Sequence, residues 1–178
     1  MSADPSKMRV TVNGIDAPVL SMASNRLDVQ APWEISGAKA LVRVTGPDGG
    51  YADTLVEIQS VVPALGGGLG ILRPSGDFDM NPAAFAAGNV VVFLAEGLGR
   101  VEPPPKTGMA PERASLVTAE VTASVAGLPA TIYPAMLAAD RPGQYYVVLG
   151  IPPGVPAGGQ PVRLAVNGIA TERTFTFR

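Results

Sequence analysis

The chain contains neither cysteine nor histidine among its 178 residues. Without cysteine it can form no disulfide, no thiolate nucleophile and no zinc–cysteine site. Without histidine the Ser-His-Asp and HExxH classes of hydrolase are excluded, because both depend on a neutral imidazole as general base or metal ligand. The two absences therefore remove most small hydrolases.

Charge is also scarce. Charged residues make up 16% of the chain, the formal net charge is −2, and the lysines and arginines form no cluster. We therefore expect no nucleic-acid partner, since binding to a phosphate backbone requires a basic surface. We also expect no membrane span, because no apolar run approaches the roughly 20 residues that one requires.

The opening residues, MSADPSK, have no apolar signal core. This fits either a cytoplasmic chain or a fragment of a longer exported protein, and composition does not separate the two. Hydrophobic residues make up 47% of the chain, while 21 glycines and 18 prolines are spread along its whole length. Such punctuation is typical of many short strands separated by turns, and it predicts an all-β fold.

Alternation of apolar and polar residues marks the first strands. It occurs in residues 8–12, before an Asn-Gly turn, and in residues 26–31, where Pro32 ends the pairing because it has no N–H to donate. Residues 40–44 and 54–58 follow the same pattern. Four short strands with turns between them predict a meander or half of a β-sandwich.

The two ends of the chain resemble each other. Residues 10–20 align with 123–133, and after a seven-residue insertion residues 27–44 align with 147–164. The last matched positions are Val56 with Phe175 and Ile58 with Phe177. We interpret the chain as a tandem duplication of one β unit.

The predicted organisation is a first unit over residues 8–59, a connecting segment over 60–85 and a second unit over 86–178. An apolar strand at residues 90–94 precedes the repeated part of the second unit, whereas the first unit has no such leading strand. A sheet without a neighbour exposes unpaired backbone groups. We therefore expect the first unit to be completed by the connecting segment, by the second unit or by another chain, and a bare edge beside residues 8–14 would argue against this.

Two stretches of the connecting segment have local signatures. GGGLG at residues 66–70 lacks the lysine and the strand-to-helix setting of a phosphate-binding loop, which predicts a flexible linker. NPAAFAAG at residues 81–88 has an Asn cap, a proline at the first helical position and a terminal glycine. That combination predicts one helical turn.

The order of five segments resembles the Solibacter-type C-terminal domain, an uncharacterised family found at the ends of large exported acidobacterial proteins. The segments are VTVNGIDAPVL, LDVQAPWEI, NVVVFLAEGLGRVEPPPKTG, VTASVAGLPATIY and YYVVLGIPPGVPAGGQPVRLAVNGIATERTFTF. The resemblance implies two tandem immunoglobulin-like β-sandwich units, close to the IPT/TIG kind, in a secreted or cell-surface setting, and it implies no catalytic residue. The chain departs from the family pattern by lacking the opening strand and by having AEGLG in place of GTGLG.

One stretch offers a candidate metal site. Asp77, Asp79 and Asn81 alternate as the ligands of a calcium loop do, but Pro82 stands where such a loop needs glycine, and no glutamate occupies the twelfth position. The competing interpretation, which we favour, is an Asx-rich turn. Calcium is the only cofactor that the sequence suggests.

Catalytic alternatives rest on isolated residues. Ser36 and Lys39 have the spacing of a serine–lysine pair, but they fall in a predicted loop instead of at the start of a helix. A carboxylate pair could also serve a glycosidase, and Asp16, Glu34 and Glu96 lie at strand ends where two might converge. The remaining carboxylates considered are expected to be solvated strand residues: Asp28, Glu57, Glu120 and Glu172.

Trp33, the single tryptophan, is the candidate ligand-binding residue. It could form a sugar-stacking platform, extended by Tyr51, Tyr133, Tyr145 and Tyr146. The alternative, which we favour, is that Trp33 covers one end of the core of the first unit or the seam with the second unit.

The leading functional hypothesis is a non-catalytic extracellular module for adhesion, spacing or protein assembly, whose partner is a protein or a polysaccharide at the cell surface. The alternatives are a carboxylate- or metal-dependent hydrolase acting on an ester, lactone or glycoside, and a carbohydrate-binding module.

Overall fold

A computed structural model describes residues 8–72, 78–79 and 85–178. Within these residues the chain has no helix, and its strands form several antiparallel sheets, so the all-β prediction is confirmed. The predicted helical turn cannot be followed, because residues 81–84 lie outside the described part. Contacts between residues divide the chain into two compact units.

The first unit comprises the described residues up to Ser60 together with Pro104–Glu112. Its strands are β1 (Arg9–Val12), β2 (Ile15–Asp16), β3 (Val19–Ala23), β4 (Arg26–Val29), β5 (Lys39–Thr45) and β6 (Tyr51–Glu57). One sheet has the order β2-β1-β5-β6, and β3 and β4 form a separate two-stranded sheet. Side chains of both sheets meet in one core, as in a sandwich.

The second unit comprises the described residues of Val61–Pro103 and Arg113–Arg178. Its first strands are β7 (Ala64–Leu72), β8 (Phe78–Asp79), β9 (Val90–Glu96), β10 (Val101–Glu102), β11 (Leu116–Val117) and β12 (Val121–Val125). They are followed by β13 (Leu128–Pro129), β14 (Thr131–Ile132), β15 (Met136–Leu137), β16 (Gln144–Gly150), β17 (Gly158–Val166) and β18 (Ile169–Phe177). One sheet has the order β13-β12-β17-β18, and the other runs β10-β11-β15-β16-β9-β7-β8, with β14 also paired to β16.

The same sheet occurs in both units, as the duplication predicts. The order β2-β1-β5-β6 in the first unit matches β13-β12-β17-β18 in the second, and every pairing in both is antiparallel. The pairs are also in register, since Val12 lies opposite Val42 and Val125 lies opposite Val162. The two stretches whose sequences align thus form two sheets with the same strand order and register.

The cores of the two units differ in how well they are filled. In the first unit Val10, Val12, Ala17 and Ala40 are buried, and the surrounding hydrophobic side chains are only partly buried. In the second unit the inward side chains of the central strands are fully buried. They include Val91, Phe93, Ala95, Val125, Val147, Leu149, Val162, Leu164 and Val166.

Residues 66–70, which we predicted to be a linker, lie inside β7 and pair with β9. The prediction was wrong because consecutive glycines carry no side chains from which an alternating pattern could be recognised. Close packing explains at least one of these glycines, since a methyl group on Gly68 would lie 2.5 Å from Cζ of Phe85. Phe85 in turn belongs to an aromatic cluster with Phe93, Phe175 and Phe177, so that room for its ring is essential to the core.

Gly68→Ala is expected to destabilise the second unit by about 1–3 kcal/mol, because the added methyl group forces the Phe85 ring out of the cluster. The matched control is Gly67→Ala, where nothing lies within 4 Å of the added atom. Hydrogen exchange of β9 and β16 amides in increasing urea measures both effects. Equal stability of the two variants would mean that this stretch is a linker after all.

Three two-residue turns share one conformation. The first residues of these turns, Asn13, Ala126 and Asn167, have φ values of 51°, 51° and 47°, and each is followed by glycine. Such positive φ values are those of the type I′ hairpin turn, which favours Asn-Gly. The side-chain oxygen of Asn13 also accepts a hydrogen bond from the backbone N–H of Leu41. The aligned residue in the second unit is Pro161, which has no N–H, and this accounts for the tolerance of alanine at position 126.

Asn13→Ala is expected to destabilise the first unit by about 1 kcal/mol, because it leaves the Leu41 N–H without its acceptor and places alanine at positive φ. Asn13→Gly removes the acceptor but tolerates the φ value, so its stability should lie between those of the wild type and the alanine variant. Urea unfolding, followed by the fluorescence of the single tryptophan, Trp33, ranks the stabilities of the wild type and the two variants. A glycine variant no more stable than the alanine variant would contradict the role of φ.

Candidate functional site

Trp33 lies just beyond the end of β4, where a second segment of the first unit is attached. The backbone N–H of Trp33 donates to Oγ1 of Thr107 at 2.9 Å, and this hydroxyl donates to Oε2 of Glu34 at 2.5 Å. The N–H of Gly108 donates to Oε1 of the buried Gln30 at 3.1 Å. These bonds fasten Pro104–Glu112 to the continuation of β4, a long-range contact that no pattern in the sequence indicates.

The Trp33 ring is partly buried, and its Nε1 is buried without a hydrogen-bond partner in the part of the chain that the structure describes. Among the tyrosines proposed to extend it, only Tyr51 belongs to the same unit. Tyr51 is exposed and lies against the Arg43 guanidinium, 4.2 Å from the ring centroid. Trp33 therefore is not the centre of an array of exposed rings within its own unit.

The other tyrosines belong to the second unit. Tyr145 is buried, its hydroxyl donates to the carbonyl of Gly99 at 2.6 Å, and burial raises its pKa to about 12. Tyr146 donates to Asp140, and Tyr133 is exposed. A buried, hydrogen-bonded ring such as that of Tyr145 offers no surface for stacking a sugar.

Three carboxylates of the first unit form exposed ion pairs with arginines. Arg9 pairs with Asp16 at 2.6 Å and Arg26 with Asp28 at 2.5 Å. Asp53 accepts two hydrogen bonds from the guanidinium of Arg43, at 2.7 and 2.8 Å. Such exposed pairs contribute little to stability, although they place charges along the outer face of the sheets.

The strand-end carboxylates each have a different partner. Asp16 binds Arg9, Glu34 binds Thr107, and Glu96, in the second unit, accepts a hydrogen bond from Nε2 of Gln144 at 3.0 Å. Hydrogen bonds lower the pKa of several carboxyl groups, namely Asp16, Asp28, Glu34, Asp53 and Asp140. A general acid needs the opposite shift, so these groups are suited to staying ionised and not to delivering protons.

The remaining chemical candidates are dispersed. Ser36 is exposed in a loop, and Lys39 is the exposed first residue of β5. Of the proposed calcium ligands, Asp79 is half-buried in β8, while Asp77 and Asn81 lie outside the described residues. Within the described ranges, no three carboxylate side chains cluster in a way that could hold a metal ion.

The most distinctive feature of the first unit is the outer edge of β4. This strand pairs with β3, and the described residues supply no strand on its other side. Its counterpart in the second unit, β16, pairs with β14 and β15 on one side and with β9 on the other. Among the described residues the unpaired edge therefore lies at β4, whereas β1 is flanked by β2 and β5, so that no bare edge lies beside residues 8–14.

The sequence contained the signal for this site. Residues 90–94 have no counterpart in the first unit, and the structure, by pairing β9 with β16, shows that the equivalent position lies beside β4. The described part of the connecting segment does not fill it, because β7 pairs with β9 and β8 within the second unit.

No protein-family model matches the chain, and a search of curated proteins finds no significant similarity. In the described residues there is no helix with the length and apolar character needed to cross a membrane.

Thr107→Val is expected to destabilise the first unit by about 1 kcal/mol, because the Trp33 N–H loses its acceptor. It should also raise the pKa of Glu34 towards its ordinary value, since the Thr107 hydroxyl is the main cause of the lowered pKa. A lowered pKa stabilises the folded state at pH values above the ordinary glutamate pKa, and this contribution is lost as the pH falls from that ordinary value through the lower folded-state value. The variant should therefore lose less stability on acidification.

An NMR titration of the Glu34 carboxyl group measures this shift. Thr107→Ser retains the hydroxyl and serves as the control, with a pKa close to that of the wild type. An unchanged Glu34 pKa in the valine variant would show that Thr107 is not the cause.

Proposed function

We propose that this chain is a non-catalytic module of protein assembly, built from two immunoglobulin-like units and exposed on the outside of the cell. The proposal is supported by the repeated antiparallel sheet and by the sandwich-like core of the first unit. The secreted or cell-surface setting rests on the five sequence segments described above.

One observation carries the proposal, namely that two copies of the same sheet differ in whether their second layer is complete. In the second unit β16 is enclosed by strands on both sides, whereas β4 has a strand on one side only among the described residues. An unpaired strand edge is a template for pairing with another polypeptide. Proteins normally protect such an edge, and an unpaired edge beside a core whose hydrophobic side chains are mostly only partly buried favours a role in assembly.

The polar chemistry of the chain agrees with this role. The carboxylates that could have served an enzyme are engaged in separate contacts with Arg9, Thr107 and Gln144. Their hydrogen bonds favour the ionised state and fix neighbouring segments of backbone, as the Glu34–Thr107 pair does for Pro104–Glu112. These contacts serve to hold strands and loops in place.

A screen of the purified chain on ester, lactone and glycoside substrates, with and without a chelator, is expected to show no turnover above background. The companion measurement is a titration of Trp33 fluorescence with soluble polysaccharides, which should leave the emission unchanged. Turnover that disappears on a single carboxylate substitution, such as Glu34→Gln, would establish an enzyme instead. A saturable change in emission with a polysaccharide, abolished by Trp33→Ala, would establish a carbohydrate-binding module.

A further inference from the structure

The backbone of β4 has a definite outward side. The N–H of Gln30 donates to the carbonyl of Pro18, on the side of β3. Because alternate residues of a strand direct their backbone groups to opposite edges, the N–H and C=O groups of Leu27, Val29 and Ala31 face the other edge. No strand among the described residues pairs with that edge.

The second unit shows what occupies the equivalent edge. There the N–H of Ile151 donates to the carbonyl of Asn89, and β9 runs antiparallel to β16 with Leu149 opposite Val91 and Val147 opposite Phe93. By the alignment of the two copies, Leu27, Val29 and Ala31 correspond to Val147, Leu149 and Ile151. The open edge of β4 in the first unit is therefore equivalent to the edge of β16 that pairs with β9 in the second unit. We call this position beside residues 27–31 the seat.

The added strand also fills the core. The side chains of Val91, Phe93 and Ala95 in β9 are completely buried. Their neighbours in the second unit, Val147 and Leu149, are also completely buried. The equivalent side chains of the first unit, Leu27 and Val29, are only partly buried. Val42 and Val44, which belong to the other sheet of the same core, are also only partly buried.

The seat has a closed end. Beyond Ala31 the chain turns at Pro32, and the N–H of Trp33 in this turn is bound by Thr107. The open stretch therefore runs over residues 27–31, with Pro104–Glu112 as its boundary. A strand entering this seat must end before it reaches Thr107, which limits the length of its paired part.

Among the other edge strands of the first unit, β6 is the longest, and it is a weaker candidate. Its counterpart β18 pairs with β17 and otherwise has only the single bridge between Phe85 and Phe177 among the described residues. The two copies are thus similarly open on this side.

We propose that the outer edge of β4 binds an extended strand of another polypeptide, antiparallel to β4, with large apolar side chains at alternate positions directed into the core of the first unit. This mode is β-strand addition, in which main-chain hydrogen bonds give affinity and alternate side chains give specificity. The inference rests on the proposed function, since it names the partner and the contact of an assembly module.

A donated strand fits the seat better than the same edge of a second copy does. In a second copy, Leu27 and Val29 already pack into their own core. Pairing of two β4 edges would satisfy backbone groups but would supply no side chain equivalent to Phe93. A strand from another polypeptide has free side chains, and these can fill the space that Val91, Phe93 and Ala95 fill in the second unit.

The test uses the chain's own β9 as a probe. A peptide of residues 88–97, GNVVVFLAEG, with added lysines for solubility, is titrated into the full chain while Trp33 fluorescence and amide hydrogen exchange are measured. We expect saturable binding and slower exchange at Leu27, Val29 and Ala31. The fluorescence reports on the first unit because Trp33 follows β4 directly.

Two modified peptides make the test specific. Phe93 lies opposite Val147 in a pair that exchanges backbone hydrogen bonds, so N-methylation of Phe93 removes a donor aimed at the bound strand and should weaken binding by about tenfold or more. N-methylation of Val92, whose N–H points to the other side, should leave binding nearly unchanged. These peptides have the same composition and hydrophobicity.

Three results would overturn the inference. They are an absence of protection at the β4 amides, equal binding of the two methylated peptides, and a concentration-dependent dimer of the chain alone, seen by sedimentation, in which the β4 amides become protected. The last result would make a second copy the occupant. If the peptide fails while the substrate screen stays negative, only strand addition is removed, whereas turnover in the screen removes the assembly function itself.

Discussion

A β-strand inside a protein has two hydrogen-bonding edges, and the fold of this chain depends on how each central strand satisfies both. In the second unit β16 meets this requirement through β14 and β15 on one side and β9 on the other. In the first unit β4 meets it on one side only, within the described residues. The difference lies in hydrogen bonding, but it governs packing as well, since the strand that pairs with the edge also contributes side chains to the core.

The two copies also differ in the side chains of their cores, and these differences follow from the presence of β9 beside β16. Where β9 is present, aromatic residues surround it, with the rings of Phe93 and Phe175 only 4.8 Å apart. In the first unit the position aligned with Phe175 is Val56, which is exposed, and four buried residues make up the core. Contacts at the ends of the strands, such as Thr107 with Trp33 and Glu34, provide stability that does not depend on a full core.

Much of the fold could be predicted from the sequence, because period-two alternation and the aligned repeats both record the positions of buried side chains. The Asn13-Gly14 turn was also recognisable, since few residues adopt positive φ. The glycine-rich part of β7 was mistaken for a linker, because the feature that stabilises it is the ring of Phe85, more than 10 residues away. The sequence shows that the first unit lacks a leading strand, but the strand that such a strand would pair with becomes clear only from the pairing of β9 with β16. The Thr107–Trp33 contact joins residues 74 positions apart, and no local pattern indicates it.

The openness of the β4 edge is tested most directly by amide hydrogen exchange in the unliganded chain, with matched positions of the two copies compared at one pH and temperature. The amides of Leu27, Val29 and Ala31 should exchange rapidly, while those of Val147, Leu149 and Ile151 should be strongly protected, because within the described ranges only the latter face a paired strand. Equal protection at the two sets of positions would show that the edge of β4 is already covered, and it would contradict the claim that this edge is free to pair with a strand of another polypeptide.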